Sequence, residues 1–248
     1  MDLKFDSEEQ LFRAVAALTN RTEKSTTDTT KAVLRLERPP LLGVYCVVAT
    51  TQHTLASTFM RPQEYYESPY QNIRGHVFTT EEYEDTYAAH TGAFTYYQDW
   101  SGFNIPAETV LSFFENFKLL TRKEQMLKHL LQPMFEDQHR SYLIGIIDGD
   151  TRTYDHELAH ALYATNSDYR NEAQALLADV PNRDGMEKYL LHMGYDITKI
   201  EDERQALLAT SPAAHIENRF GINESVSGKF KTLFRKHMLD GGRLDAGS

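Results

Sequence analysis

Two histidines four residues apart enclose a glutamate in the segment His156-Glu157-Leu158-Ala159-His160. On a helix, positions i and i+4 lie on one face a single turn apart, so both imidazoles can reach one zinc ion at about 2.0–2.1 Å. Glu157 stands beside the first ligand. From there it can point at a metal-bound water without binding the metal, and take the proton as that water attacks a carbonyl. Leu158, Ala159, Ala161, Leu162 and Ala164 are good helix formers with no proline or glycine among them, so the segment is expected to be helical.

A catalytic zinc usually holds three protein ligands and one water, so a further ligand is needed. The single cysteine, Cys46, lies in the apolar run Leu41 to Val48, which excludes an intrachain disulfide and a cysteine-based zinc site. The continuation that supplies a third histidine in metzincins needs glycine and histidine where this chain has Tyr163 and Asn166. A carboxylate remains. The polar break Thr165-Asn166-Ser167 is followed by a second helical pattern from Asp168 to Leu177. If these two helices form an antiparallel hairpin about Asn166, Glu172 faces His160, with Tyr169 and Leu176 beside it. Glu172 is therefore the expected third ligand, with Asp168 and Glu203 as further candidates.

The elements that must hold this helix can be read more coarsely. Directly upstream, Tyr142 to Ile147 has a short buried-strand pattern ended by the turn Asp148-Gly149-Asp150. Nearer the N-terminus, Ser7 to Leu18 reads as a capped helix and Asn20 to Thr30 as a loop, followed by strand-like segments at Ala32 to Leu36 and Leu41 to Thr51. Residues 60 to 78 show no clean period. Thr79-Thr80-Glu81-Glu82 caps a helix through Ala89, and Gly92 to Trp100 again looks strand-like. Pro106 and the capping box Thr121 to Glu124 start helices over 106–118 and 122–133. From Tyr154 the pattern is helical, broken at Thr165 to Ser167, Pro181 to Gly185, Gly194, Pro212 and Gly221. The fold class expected is α+β, a mixed sheet-and-helix part followed by a helical part, in one domain spanning 1–248.

The motif and a downstream Glu172 preceded by Asn171 resemble the zincin-type zinc metallopeptidases, in the gluzincin-like branch whose third ligand is glutamate. The resemblance covers roughly residues 140 to 180. It implies a zincin-like fold in which a second helix carries the glutamate, and an edge strand, matched by Tyr142 to Ile147, that holds an extended peptide. It also implies a Tyr or His stabilising the oxyanion, for which Tyr163, Tyr169, Tyr195 and His215 are candidates. The function expected is that of a zinc-dependent hydrolase, a peptidase acting on a peptide or protein substrate, with His156, His160 and Glu172 on the metal and Glu157 as general base. The alternative is a catalytically inactive zinc-binding interaction or regulatory module.

Composition narrows the partners. Across 248 residues, 26 Lys and Arg stand against 36 Asp and Glu, and a net charge of −10 argues against a phosphate-backbone binder, so no nucleic acid is expected. No run of about 18 apolar residues occurs and no secretory leader is visible, so a cytoplasmic protein without membrane partners is expected. No oligomeric state follows from the pattern. The aromatic segment Phe94 to Phe103 is read as core.

Overall fold

A computed structural model describes residues 33–137 and 141–239; the helix expected at Ser7 to Leu18 and the loop at Asn20 to Thr30 lie outside the described residues. The fold is α+β. A four-stranded mixed sheet, in the order β1-β2-β4-β3, comprises β1 (Leu34–Glu37), β2 (Val44–Ala49), β3 (Gly102–Pro106) and β4 (Tyr142–Ile147). β1 runs antiparallel to β2, β2 parallel to β4, and β3 antiparallel to β4 with Gly102 opposite Ile146 and Asn104 opposite Ile144.

The sheet is buried on both faces, and its side chains sort by the period of two that a strand imposes. Tyr45, Val47, Ala49, Leu143, Phe103 and Ile105 join one core. It is completed by α1 (Gln52–Glu67), α2 (Thr80–Thr91), α3 (Tyr96–Asp99), α4 (Ala107–Asn116), α5 (Arg122–Leu130) and α6 (Gln132–Phe135). Val44, Cys46, Val48, Tyr142, Ile144 and Ile146 join the other core. There they meet α7 (Thr151–Thr165), α8 (Ser167–Ala178), α9 (Arg183–His192), α10 (Ile200–Thr210), α11 (Ala213–Phe220) and α12 (Glu224–Leu239). Three layers result, with the sheet between two helical sets. Cys46 is a buried free thiol, pushed up to about 12 by burial.

Local chemistry explains most boundaries. The hydroxyls of Thr79 and Thr121 accept the amides of Glu82 and Glu124, whose carboxylates reach back to close two capping boxes. The same Glu124 forms a buried ion pair with Arg61 of α1, with Arg61 Nε 2.7 Å from its Oε1, which fixes α1 against α5. α1 was not legible in the sequence. Its run from Thr54 to Glu64 is buried on nearly every side, which erases the amphipathic period, and Pro62 lies inside it. The strand-like segment Gly92 to Trp100 instead holds the short helix α3, and the strand begins two residues later.

Two corrections concern how the sheet serves the motif helix. β4 is an inner strand, paired on both sides, and the sheet edge beside the motif helix is β3. Asn166 alone separates α7 from α8, in extended conformation, capping the second helix by accepting the Tyr169 amide at 2.9 Å. An antiparallel helical hairpin needs a loop of about 2–5 residues. The link here is a single residue, and the assumed register does not hold: Glu172 pairs with Lys236 and His237 of α12 and does not face His160.

Candidate metal centre

The motif helix starts where Asp150 caps it, accepting the Thr153 amide at 3.0 Å and the Thr153 hydroxyl at 2.7 Å. It packs on β3 and β4 with one face and on α10 with another. The histidines therefore point into the seam between α7 and α10. His156 Nε2 and His160 Nε2 lie 3.2 Å apart. Two Zn–N bonds of about 2.0–2.1 Å at a tetrahedral angle place their nitrogens about 3.3 Å apart, so the rings already have the spacing of two ligands.

Glu203 of α10 completes the group. Its Oε1 lies 3.4 Å from His160 Nε2 and its Oε2 3.7 Å from His156 Nε2. One ligand atom from each of His156, His160 and Glu203 falls within 4.8 Å of the others. The donor set, two imidazoles and a carboxylate, is one that catalytic zinc sites use. These three residues fit the ion.

The outer partners orient the rings. His160 Nδ1 is 2.8 Å from Asp202 Oδ1, and Thr210 Oγ1, which donates to the Ala206 carbonyl, faces His156 Nδ1 at 3.3 Å. Both rings are thereby held with Nε2 toward the common point, and His160 has the carboxylate–histidine arrangement typical of metal sites. Asp202 is held in turn by Gln205 Nε2 at 2.9 Å, and Gln205 Oε1 accepts the Tyr169 hydroxyl at 2.7 Å. Burial by itself lowers the His160 pKa, but the charges of Asp202 and Glu203 outweigh it and hold it well above the usual value. The three carboxylates around this buried ring need a positive charge, which a proton on the ring or a bound metal ion can supply.

Glu157 is 5% exposed and sits against the sheet edge, accepting from Asn104 Nδ2 at 2.9 Å, while Asn104 Oδ1 accepts the Tyr142 hydroxyl at 2.8 Å. Burial raises its pKa, and the neighbouring His160 and His156 work the other way. Gly102 makes this approach possible. A Cβ there would lie 2.6 Å from Thr153 Cγ2 and still nearer Glu157 Oε1, so only a glycine lets the motif helix press this close to β3.

His156, Glu157, His160 and Glu203 line a cleft of about 470 Å³, whose walls include Gly102 and Asn104 of β3, Trp100, and Tyr195. Of the residues expected at the site, His156, Glu157 and His160 meet as anticipated. Glu172 does not join them. It lies on the exposed face of α8, 2.9 Å from Lys236 Nζ and 3.1 Å from His237 Nε2 of α12, and its place is taken by Glu203. Asp168 is exposed as well. Tyr169 is buried behind the site as a support for Gln205 rather than facing the cleft, and His215 is exposed on α11, away from it. Tyr195 does line the cleft. The charge of Glu203, and then burial, hold its phenol well above its usual pKa, so it stays a hydrogen-bond donor.

Sequence reasoning missed Asn104, Gly102 and Asp202, and ranked Glu203 below Glu172. A signal for Glu203 existed. Ile200, Glu203 and Ala206 follow one another at helical spacing on a buried stripe, and an acid at a core-facing position asks for a partner. No protein family, curated protein or solved structure matches this chain, so its reading rests on the geometry above.

Proposed function

We propose that the chain is a zinc-dependent peptidase of zincin-like design, with His156, His160 and Glu203 as the metal ligands and Glu157 as the general base. The observation that carries this reading is the convergence of the two Nε2 atoms, 3.2 Å apart, with Glu203 at 3.4 and 3.7 Å, at the floor of an open cleft. A zinc ion held there would lower the pKa of a bound water and polarise a carbonyl. Glu157, fixed by Asn104 on the side of the sheet edge, is in place to accept a proton and pass it on to a leaving amine. Tyr195, kept protonated, can donate to an oxygen on which negative charge develops.

A peptide is favoured over other substrates by β3. One edge of this strand pairs with β4, while Ser101 to Asn104 line the cleft. An extended peptide can add to such an edge through main-chain hydrogen bonds and bring its carbonyls past the motif helix. Among the described residues no helix is long and apolar enough to cross a membrane.

The test pairs elemental analysis with digestion of a broad peptide library. One zinc per chain and cleavage of a subset of peptides are expected, and Glu157→Gln should keep the zinc while lowering turnover by about 10²–10⁴-fold. A chain that takes up no zinc, or a Glu157→Gln variant with full activity, would overturn the assignment. Zinc with no cleavage of any peptide would turn the reading to a metal-binding module.

A further inference from the structure

The cleft holds a second polar group that the metal chemistry leaves unused. The last turn of α1 brings Gln63, Glu64 and Glu67 to its wall, and Tyr83 and Tyr96 belong to the same lining. Glu67 is paired. Gln63 Nε2 donates to its Oε1 at 2.5 Å, and Lys199 Nζ lies 3.3 Å from its Oε2. Glu64 has no such cation partner among the described residues. Burial lifts its carboxyl to about 7, although the hydroxyls of Ser68, Tyr83 and Tyr96 work against that shift.

Three acceptors here make no hydrogen bond of good geometry: Glu64 Oε2, Gln63 Oε1 and the oxygen of the Tyr96 hydroxyl, which faces the Glu64 carboxyl. Their residues are 6%, 7% and 1% exposed, so none is simply left to solvent. Buried polar atoms are nearly always partnered, and three orphans lining one cleft ask for a common explanation. Their chemistry is uniform in one respect: an amide oxygen, a carboxylate oxygen and a phenol oxygen all accept. A primary ammonium has three N–H donors and no acceptor, and its charge matches the Glu64 carboxylate, which Lys199, paired with Glu67, leaves unneutralised. The rings of Tyr70, Tyr87 and Trp100 line the same cleft and suit the methylene stem of an amine.

We propose that Gln63, Glu64 and Tyr96 form a subsite for a primary ammonium group of the substrate, in the cleft whose floor carries His156, His160 and Glu203. The group is either a peptide's α-ammonium or a lysine side chain. This specificity rests on the peptidase reading for its meaning, but the subsite can be measured apart from it.

Trp100 is the only tryptophan of the chain and lines the cleft, so its fluorescence reports occupancy. n-Hexylammonium and the neutral 1-hexanol are titrated into the full chain, with zinc and after chelation. The ammonium should bind about 10- to 100-fold more tightly in both conditions, as expected of charge-assisted hydrogen bonds. Glu64→Gln should erase the difference and Tyr96→Phe should reduce it. Equal binding of the two probes to the unaltered chain overturns the proposal without needing any variant. If zinc is taken up and peptides are cut but the probes are not distinguished, the subsite fails while the metal reading stands; the reverse result separates them the other way. Two peptides bound to Glu157→Gln then identify the source, one with its only ammonium at the N-terminus and one N-acetylated with a single lysine. Glu64 dependence in either names the group, and Glu64 dependence in neither overturns the proposal.

Discussion

Replacing Gly102 by alanine tests whether the sheet edge holds Glu157, the proposed general base. The added methyl would stand 2.6 Å from Thr153 Cγ2 and 3.0 Å from Glu157 Cδ, and nearer still to Glu157 Oε1. Carbon contacts settle at about 3.5–4.0 Å, so roughly 1 Å of room has to be found. The strand cannot easily give way, because Gly102 is in register with Ile146 of β4, and Thr153 is fixed by its two bonds to Asp150. The Glu157 carboxylate is what moves, and its 2.9 Å bond from Asn104 is lost. A displacement of about 1 Å at a reacting group costs on the order of 10²-fold in rate, or about 2.7 kcal/mol of transition-state stabilisation.

The same crowding should reduce stability by about 1–3 kcal/mol. For a chain of this size that lowers Tm by roughly 2–10 °C. The nearest atoms to the new methyl belong to Glu157 and Thr153 and not to the three proposed metal ligands, so zinc content should not change. The assay is kcat/KM on the best peptide from the library, with zinc stoichiometry and calorimetric Tm on the same preparation. Wild-type turnover at wild-type Tm would mean that Glu157 is not held against β3 as described. Loss of zinc together with turnover would mean that the strand positions the ligands and not the base.

Glu203→Gln should weaken zinc binding by more than about 100-fold, beyond the 10–100-fold typical of an outer partner, while Glu172→Gln stays within twofold; competition against a fluorescent chelator decides, and the opposite order would restore the hairpin ligand set. Asp202→Asn should cost about 10–100-fold in zinc affinity by the same assay, because His160 Nδ1 then faces a neutral group that no longer fixes the ring. Glu64 gives a pH signature. Its folded pKa is raised to about 7 against about 4.3 unfolded, so between those values the unfolded chain releases a proton that the folded chain keeps, and stability falls as pH rises. Below about pH 4 the effect is absent and above about pH 7 it levels off. Glu64→Gln should therefore leave Tm unchanged at pH 4 and raise it at pH 8, by the equivalent of about 3–4 kcal/mol; equal Tm at both values would contradict the burial of a carboxyl without a cation partner.

What the sequence made legible follows from the range over which each signal acts. The capping boxes at Thr79 and Thr121, the helix breaks at Asn166, Pro212 and Gly221, and the i, i+4 histidines are local, and the structure places these as read. Helix α1 escaped because a segment buried all round carries no period, and β3 escaped because its five residues, Gly102 to Pro106, include a glycine and a proline that argue against a strand. Glu172 was chosen by assuming a hairpin, and the single-residue link at Asn166 removes that assumption. Glu203 stands more than forty residues beyond His160, and which helix returns to the motif is a matter of packing, not of spacing.

That packing has a consequence the hairpin would have lacked. Asp202 and Glu203 are neighbours on α10, separated by about 100° around the helix, and they meet the same imidazole on opposite nitrogens, at 2.8 Å from Nδ1 and 3.4 Å from Nε2 of His160. One residue holds the ring and the next presents the ligand. With Gln205 one turn of reach away, bonded to both Asp202 and the Ala159 carbonyl of the motif helix, the register of α10 against α7 is fixed by three polar residues in a row of four. A slide of either helix by a single residue would break the ligand, its orienting partner and the link to the motif helix together. The geometry of the proposed metal centre is thus tied to one helix–helix register, and a ligand supplied from the exposed face of α8 would have no comparable constraint.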